Sequence, residues 1–438
     1  MSANLKTQAP QKKVVGVDLV QKPTRQRVLL GFVLLVTLLV AYVDRVNVSV
    51  LLADPIFLEE MGITGKTVKM GLIMTVFLLT YGLSNFMFGP VCDAIGPRKA
   101  MMIAIMLWAI SMLIGGLVGT FTLMLAARLI LGLGEGLHYP NQGIFVKNWF
   151  PPKERGKANA AWQSGVLIGP IFAMPLFAWI ITIWGWRETF YILAVLGLIP
   201  LLLLWRLVTD TPRENKRINK AELDYIENAL KIESEGQVYV KAESLGQRLK
   251  SFVKNYRYWV VVCHYTCFCC IWWGMMTWLP SYLKLARGFS WSDMGMLSAL
   301  PYILSLITLW GCGQLSDKIG RRAPFMAVGF LIAGVSIYFG AYVNDNMTSA
   351  ILISVGIAGI AITLSGAHSI LQSIVSGNTI GTATGVMNGI SNFISALSPL
   401  VMGYIIALTG GYAGGLMFLV VAAVIGSICM IILTVQKY

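Results

Sequence analysis

Seven ionisable side chains stand inside long apolar stretches of this sequence. They are Asp44 and Arg45 in AYVDRVNVSV, Arg128, Glu135 and His138 in RLILGLGEGLHYP, and His264 and His368 further along. A charge at mid-bilayer costs about 2.5–3.5 kcal/mol on insertion scales, so each needs a reason to be there. Arginine stays charged at any working pH and can grip a carboxylate with two parallel hydrogen bonds, which makes Arg45 a candidate anion anchor. Burial favours the protonated form of a carboxyl, and a neighbouring arginine favours the ionised form. A carboxyl held between those influences can load and release a proton, and Asp44 and Glu135 are the candidates. Arg128 and Glu135 are seven residues apart, two turns on nearly one helix face and too far to pair as i,i+4 residues do. Glu135 is therefore expected to face Arg45 or an interior cavity. The plainer reading is static ion pairing, Arg45 with Asp44 or Glu135, and the two readings are compatible.

His138 lies one turn after Glu135 and could share its proton, or it could stay neutral and bond a carbonyl. Gly132, Gly134 and Gly136 superficially suggest a phosphate-cradling loop, but no strand precedes them and close helix packing explains them better. Cys263, Cys267, Cys269 and Cys270 beside His264 could in principle hold a metal. Small hydrophobes packing between helices are the simpler account. No nucleophile–base pair or ligand set stands at convincing spacing, so neither an enzyme nor a metal or other cofactor is expected.

These residues must be held by membrane-spanning helices. The chain has 438 residues, 56% of them hydrophobic and only 12% charged, where a soluble chain has about a quarter charged. Apolar runs near the ~20 residues needed to cross a bilayer recur along its length, which predicts an all-α polytopic membrane protein. Six spans are expected near 28–50, 68–92, 100–118, 120–146, 158–183 and 188–208. Six more are expected near 259–283, 293–316, 323–343, 347–371, 380–408 and 412–435. This gives a tail at 1–27, a six-helix bundle at 28–208, a central loop at 209–258, a second bundle at 259–435 and a C-terminus at 436–438. No small-residue cleavage site follows the basic tail, so the first span reads as uncleaved. Within the loop, NKAELDYIENALKI has the spacing of a surface helix. The net charge of +14 is an orientation signal rather than a sign of nucleic-acid binding. With the N-terminus inside, 27 of the 34 lysines and arginines fall on the cytoplasmic side, which places both termini there.

The halves repeat. GPVCDAIGPRK follows the second span and GQLSDKIGRRA the eighth. Gly89, Asp93 and Arg98 answer Gly313, Asp317 and Arg321 (or Arg322). Such a pair suits a movable closure: the glycine lets a neighbouring helix approach, the aspartate faces a helix N-terminus, and the arginine reaches acidic groups or helix ends. A tight turn with solvated charges is the alternative, and it need not recur.

Twelve spans, a long central loop and two copies of this motif resemble the major facilitator superfamily. AYVDRVNVSV, RLILGLGEG, NWFPPKERGKA, NKAELDYI and TWLPSYL resemble its anion:cation symporters, the branch that includes galactonate-type transporters of sugar acids and other organic carboxylates. The resemblance covers nearly the whole chain and implies two bundles around a central cavity, lined by helices 1, 4, 7 and 10, with alternating access. It implies that Arg45 contacts the substrate carboxylate and that Asn388 bonds substrate hydroxyls. Ser365, His368 and Ser369 fall near the branch's Ser/Thr/Trp cluster, a histidine replacing tryptophan. His138 stands where a small residue is usual, and Val166 where glutamine is. Tyr42, Trp272 and Trp273 could wall the cavity.

The expected function is import of an organic carboxylate, a sugar acid or small hydroxy acid, with the proton as coupling ion. The resemblance also implies a monomer in a bacterial inner membrane. Exchange of organophosphate for phosphate is a second reading, but a doubly charged phosphate favours an arginine from each half, and the seventh span has none. A transporter-like ligand sensor is a third, although the central loop resembles no signalling domain.

Overall fold

The structure is a computed structural model describing residues 22–88, 94–236, 245–375 and 379–437. Twelve of its helices are long and apolar enough to cross a membrane. In the first half these are α1 (Gln26–Leu51), α2 (Thr67–Met87), α3 (Pro97–Leu117), α4 (Phe121–Trp149), α5 (Pro152–Ile183) and α6 (Trp186–Leu207). The second half has α7 (Tyr256–Ala286), α8 (Trp291–Ile319), α9 (Ala323–Tyr342), α10 (Asn346–Ile374), α11 (Ile380–Thr409) and α12 (Tyr412–Val435). No strand occurs among the described residues. In lipid each backbone polar group must be satisfied within its own segment, and helices do this.

Local chemistry sets many helix starts. Side chains of Thr120, Asn255, Ser290 and Asp345 accept from first-turn amides of α4, α7, α8 and α10. Both α10 and α11 are interrupted within the span, between Ile360 and Thr363 and between Ser395 and Ser398. Irregular backbone at membrane depth persists only where protein covers it or where it lines a cavity.

The first six helices pack on one another and so do the last six, with α2–α11, α5–α8 and α1–α7 joining the halves. The glycine triplet of α4 lies against α2 and α3. A Cβ at Gly134 would stand 2.9 Å from the Ala104 carbonyl oxygen, and one at Gly136 would stand 2.6 Å from Ser84 Oγ. Close packing accounts for it.

The start of α1, the end of α12 and the described linker helices share one face, called here the loop face. The start of α1 is tied to the linker helix Lys220–Gly236, and Gln436 near the C-terminus bonds Tyr256 Oη at 2.6 Å. Glu222 makes the first tie: it accepts from Thr24 Oγ1 at 2.7 Å, the Gln26 amide at 2.8 Å, and the Arg27 amide and guanidinium at 3.2 and 2.9 Å. Burial pushes this carboxyl up, but these donors outweigh it and hold it below the usual glutamate range. Arg155 adds a bidentate bond to Glu233, both arms at 2.8 Å. The expected surface helix is thus built into the first bundle. A second linker helix, Leu245–Val253, packs on α7 and α11 instead, and Phe252 meets Tyr258 ring to ring at 4.7 Å.

Of the repeated motif, Gly89 and Asp93 lie outside the described residues, as does the side chain of Asp317. The Arg98 amide donates to Asp210 at 2.7 Å, and its guanidinium reaches the Leu204 and Trp205 carbonyls at the end of α6. Gly313 makes no close contact here. A Cβ there would meet nothing within 4 Å in this structure. Arg321 is exposed just beyond the α8 cap.

Candidate functional site

Arg45 and Glu135 meet where α1 crosses α4. Nε of Arg45 donates to Oε2 of Glu135 at 2.5 Å, and both side chains are buried. The guanidinium carbon lies 4.6 Å from the ring centre of Tyr42, 4.7 Å from Tyr81, and 5.7 Å from each of Phe77 and Trp273. Aromatic faces stabilise a cation whose water has been stripped away. Trp273 belongs to the second bundle, so the cage closes across the interface. No protein group among the described residues bonds Nη1 or Nη2 of Arg45, and these are the nitrogens that a bidentate anion takes. Oε1 of Glu135 is buried without a partner.

Asp44 and Arg128 form a second charged level. Both Asp44 oxygens, and Nε and Nη2 of Arg128, are buried without hydrogen-bond partners, although the two charges act on one another. Asn47, one turn along α1, has both side-chain polar atoms in the same condition. Groups of this kind are normally satisfied by buried water.

His138 points elsewhere. Its ring stands edge-on to Trp108 at 5.5 Å, and its Nε2 is 3.1 Å from Nε2 of Gln142. The same amide nitrogen is 3.1 Å from the Leu34 carbonyl and 3.1 Å from Thr37 Oγ1. A carbonyl can only accept, so the Gln142 nitrogen faces it, and His138 Nε2 must accept as well. The histidine carries its proton on Nδ1 and helps tie α4 to α1. No bond joins it to Glu135 among the described residues. Sequence reasoning missed Gln142, although it lies seven residues after Glu135 on the same helix face.

His264 is saturated: one ring nitrogen is 2.9 Å from the Gly426 carbonyl, the other 3.2 Å from Thr363 Oγ1, and the ring lies on Phe330 at 4.3 Å. It fastens α7 to α12 and α10. Among the described residues, no cluster of three His, Cys, Asp or Glu side chains is placed to hold a metal. Trp272 stacks on Phe268 and meets Tyr302 edge-on.

The second half contributes neutral polar faces. In α10, Ser365 and Gln372 are exposed, with His368 and Ser369 half-buried. In α11 the open face holds Gly381, Gly385, Asn388, Gly389 and Asn392. Polar stripes on apolar helices face water rather than lipid. Both lie in the loop-face halves of their helices, the side on which the resemblance places the open end of the central cavity. His368 stands edge-on to Tyr265 at 5.6 Å. Tyr265 in turn is within electrostatic reach of Tyr42, Tyr81 and Tyr139 across the interface. Val166 is half-buried in α5.

A family model described as Major Facilitator Superfamily matches residues 34–399 and 312–437. A probable sulfoacetate transporter of Cupriavidus necator is 31% identical, covering 88% of each chain. A D-galactonate transporter of Escherichia coli is 30% identical over 94% of this chain and 96% of its own. Among solved structures, an inward-facing bacterial homologue of the human lysosomal transporter Spinster aligns with a TM-score of 0.73 and 20% identity. The alignment covers 94% of this chain and 98% of that one.

Proposed function

Since the chain belongs to the Major Facilitator Superfamily, a family of membrane transporters, we propose that it imports an organic carboxylate together with protons by alternating access. The observation that carries this is the Arg45–Glu135 pair, whose guanidinium keeps Nη1 and Nη2 free inside an aromatic cage shared by both bundles. Substrate carboxylate and Glu135 compete for one cation. Protonating Glu135 cancels its claim on Arg45 and frees the fork for substrate; release of substrate lets the pair reform and expels the proton. One proton with one monoanion moves no net charge. Asp44, opposite Arg128, is the place for a second. His138 acts through Gln142, holding α4 against α1.

The far face supports a rocking movement. Thr67 Oγ1 donates to the Gly403 carbonyl at 2.6 Å, and a Cβ on Gly295 would stand 2.9 Å from Pro175 Cα. The bundles touch backbone to backbone there, which closes that face and leaves the loop face as the side that opens in this reading. The basic loop face is the cytoplasmic side of a bacterial inner membrane, by the lysine and arginine bias, and the working unit is a monomer. Uptake into proteoliposomes under an imposed pH gradient tests the reading. Accumulation that survives unchanged in both Glu135→Gln and Asp44→Asn would sink it.

Phosphate exchange fits less well. In the described part of the second bundle, Lys284 donates to the Phe289 carbonyl, and Arg287 is spent on Tyr282 and on carbonyls at the end of α9. Both stand beyond the cavity.

A further inference from the structure

The two walls of the cavity differ in charge, and the difference bears on which acids fit. The first bundle presents the fixed cation Arg45. The second presents Ser365, His368 and Asn388, and His368 is its one cavity-facing side chain able to become positive among the described residues. One ring nitrogen faces the Leu364 carbonyl one turn back. A carbonyl only accepts, so that nitrogen keeps its proton. The other nitrogen has no protein partner among the described residues, and its ring is half-buried at the cavity edge.

The surroundings of His368 supply donors but no charge. Ser369 spends its hydroxyl on the Ser365 carbonyl at 3.2 Å, which leaves the Ser365 hydroxyl and the Asn388 amide free to donate into the cavity. From α7 it faces the Tyr265 phenol, and His264 on the same helix is saturated elsewhere. The described part of α11 carries no ionisable group but the phenol Tyr404; α8 has Asp293 at its start, the phenol Tyr302 in its middle and Asp317 and Lys318 at its loop-face end, and the sole ionisable groups of α9 are the phenols Tyr338 and Tyr342. Across the cavity stand Tyr42, Tyr81, Tyr139 and Arg45. Among the described residues no carboxylate is bonded or ion-paired to His368.

We infer that the site selects a short dianion, one acid group on Arg45 and the second on protonated His368 with Ser365 and Asn388. This rests on the transport reading above. The proton comes from the cavity water: His368 takes it at its free nitrogen as the second acid approaches, and no covalent bond changes. Charge-assisted donors at both ends would then match two anionic heads.

The test uses full-length protein in proteoliposomes, with succinate and sulfoacetate as dianions and butyrate and glycolate as monoanions. Wild type is expected to take up the dianions at least tenfold better. Titration calorimetry in two buffers of different ionisation enthalpy should register one more proton bound with a dianion than with a monoanion. His368→Gln should cut the dianion-to-monoanion ratio about tenfold and remove the extra proton. His368→Lys, a fixed cation, should restore the ratio without its pH dependence. A ratio unchanged in His368→Gln, or a wild type that prefers the monoanions, overturns the inference and leaves the transport reading standing. If no acid is bound or carried by wild type, both fall.

Discussion

The two bundles share a framework but not a chemistry. The first carries Asp44, Arg45, Arg128 and Glu135 within its spans, stacked along the α1–α4 crossing. The described spans of the second bundle offer the cavity serine, asparagine and one histidine. A charged, interlocked wall faces a neutral, open one. The wall with carboxylates and arginines can couple protons to anion binding, whereas the wall with neutral donors can choose among anions without holding any of them permanently. The repeated loop motif shows the same inequality. Arg98 is clasped by the end of α6 and by Asp210, whereas Arg321 is exposed just beyond the α8 cap.

The comparison is broken most severely at Arg45. Arg45→Lys keeps the charge and loses the planar fork, so carboxylate uptake should fall by about 100-fold while the protein remains folded. A loss below fivefold would mean that the fork is not what holds substrate. Next in size is the far-face contact. Gly295→Val forces Pro175 and Ala178 away and should shift the population toward a state open at that face, slowing uptake about tenfold. Cysteine labelling from each side of the membrane reads the shift, and unchanged labelling would contradict it. Gln142→Ala removes the second α1–α4 tie and should cost about 1–2 kcal/mol of stability, since it leaves buried groups unpaired. Thermal unfolding in detergent checks it.

The smallest effect is expected at the linker. Glu222→Gln should lower stability by about 1 kcal/mol, because a neutral amide accepts more weakly from Arg27 and the first amides of α1. Glu222 is held below its unfolded value near 4.5, so its contribution is present above that pH and fades as pH falls through the lower folded value. Wild type and Glu222→Gln should therefore differ in Tm at pH 7 and converge toward pH 3. A gap independent of pH would show that the carboxylate charge is not what fixes the linker.

Much of the frame was legible in sequence, because lipid permits few solutions and each long apolar run had to be a helix. The crossing of Arg45 with Glu135 was foreseeable too: two turns separate Glu135 from Arg128, so another partner was needed. What the sequence hid depends on side-chain direction. His138 stands one turn from Glu135, yet its ring turns to Trp108 and Gln142, which periodicity alone does not report. The breaks in α10 and α11 were likewise invisible, since Ala361, Ile362, Ala396 and Leu397 are ordinary helix residues. The motif glycines looked equivalent, but whether a glycine seats a neighbour depends on which face is open, and at Gly313 the space is empty.

The central claim is that Glu135 and substrate compete for Arg45 and that a proton decides between them. The most direct measurement is uptake of radiolabelled carboxylate by Glu135→Gln proteoliposomes, with and without an imposed pH gradient, beside exchange at equal pH. The account predicts that exchange persists in Glu135→Gln while gradient-driven accumulation disappears. Accumulation at the wild-type level under the same gradient would contradict it.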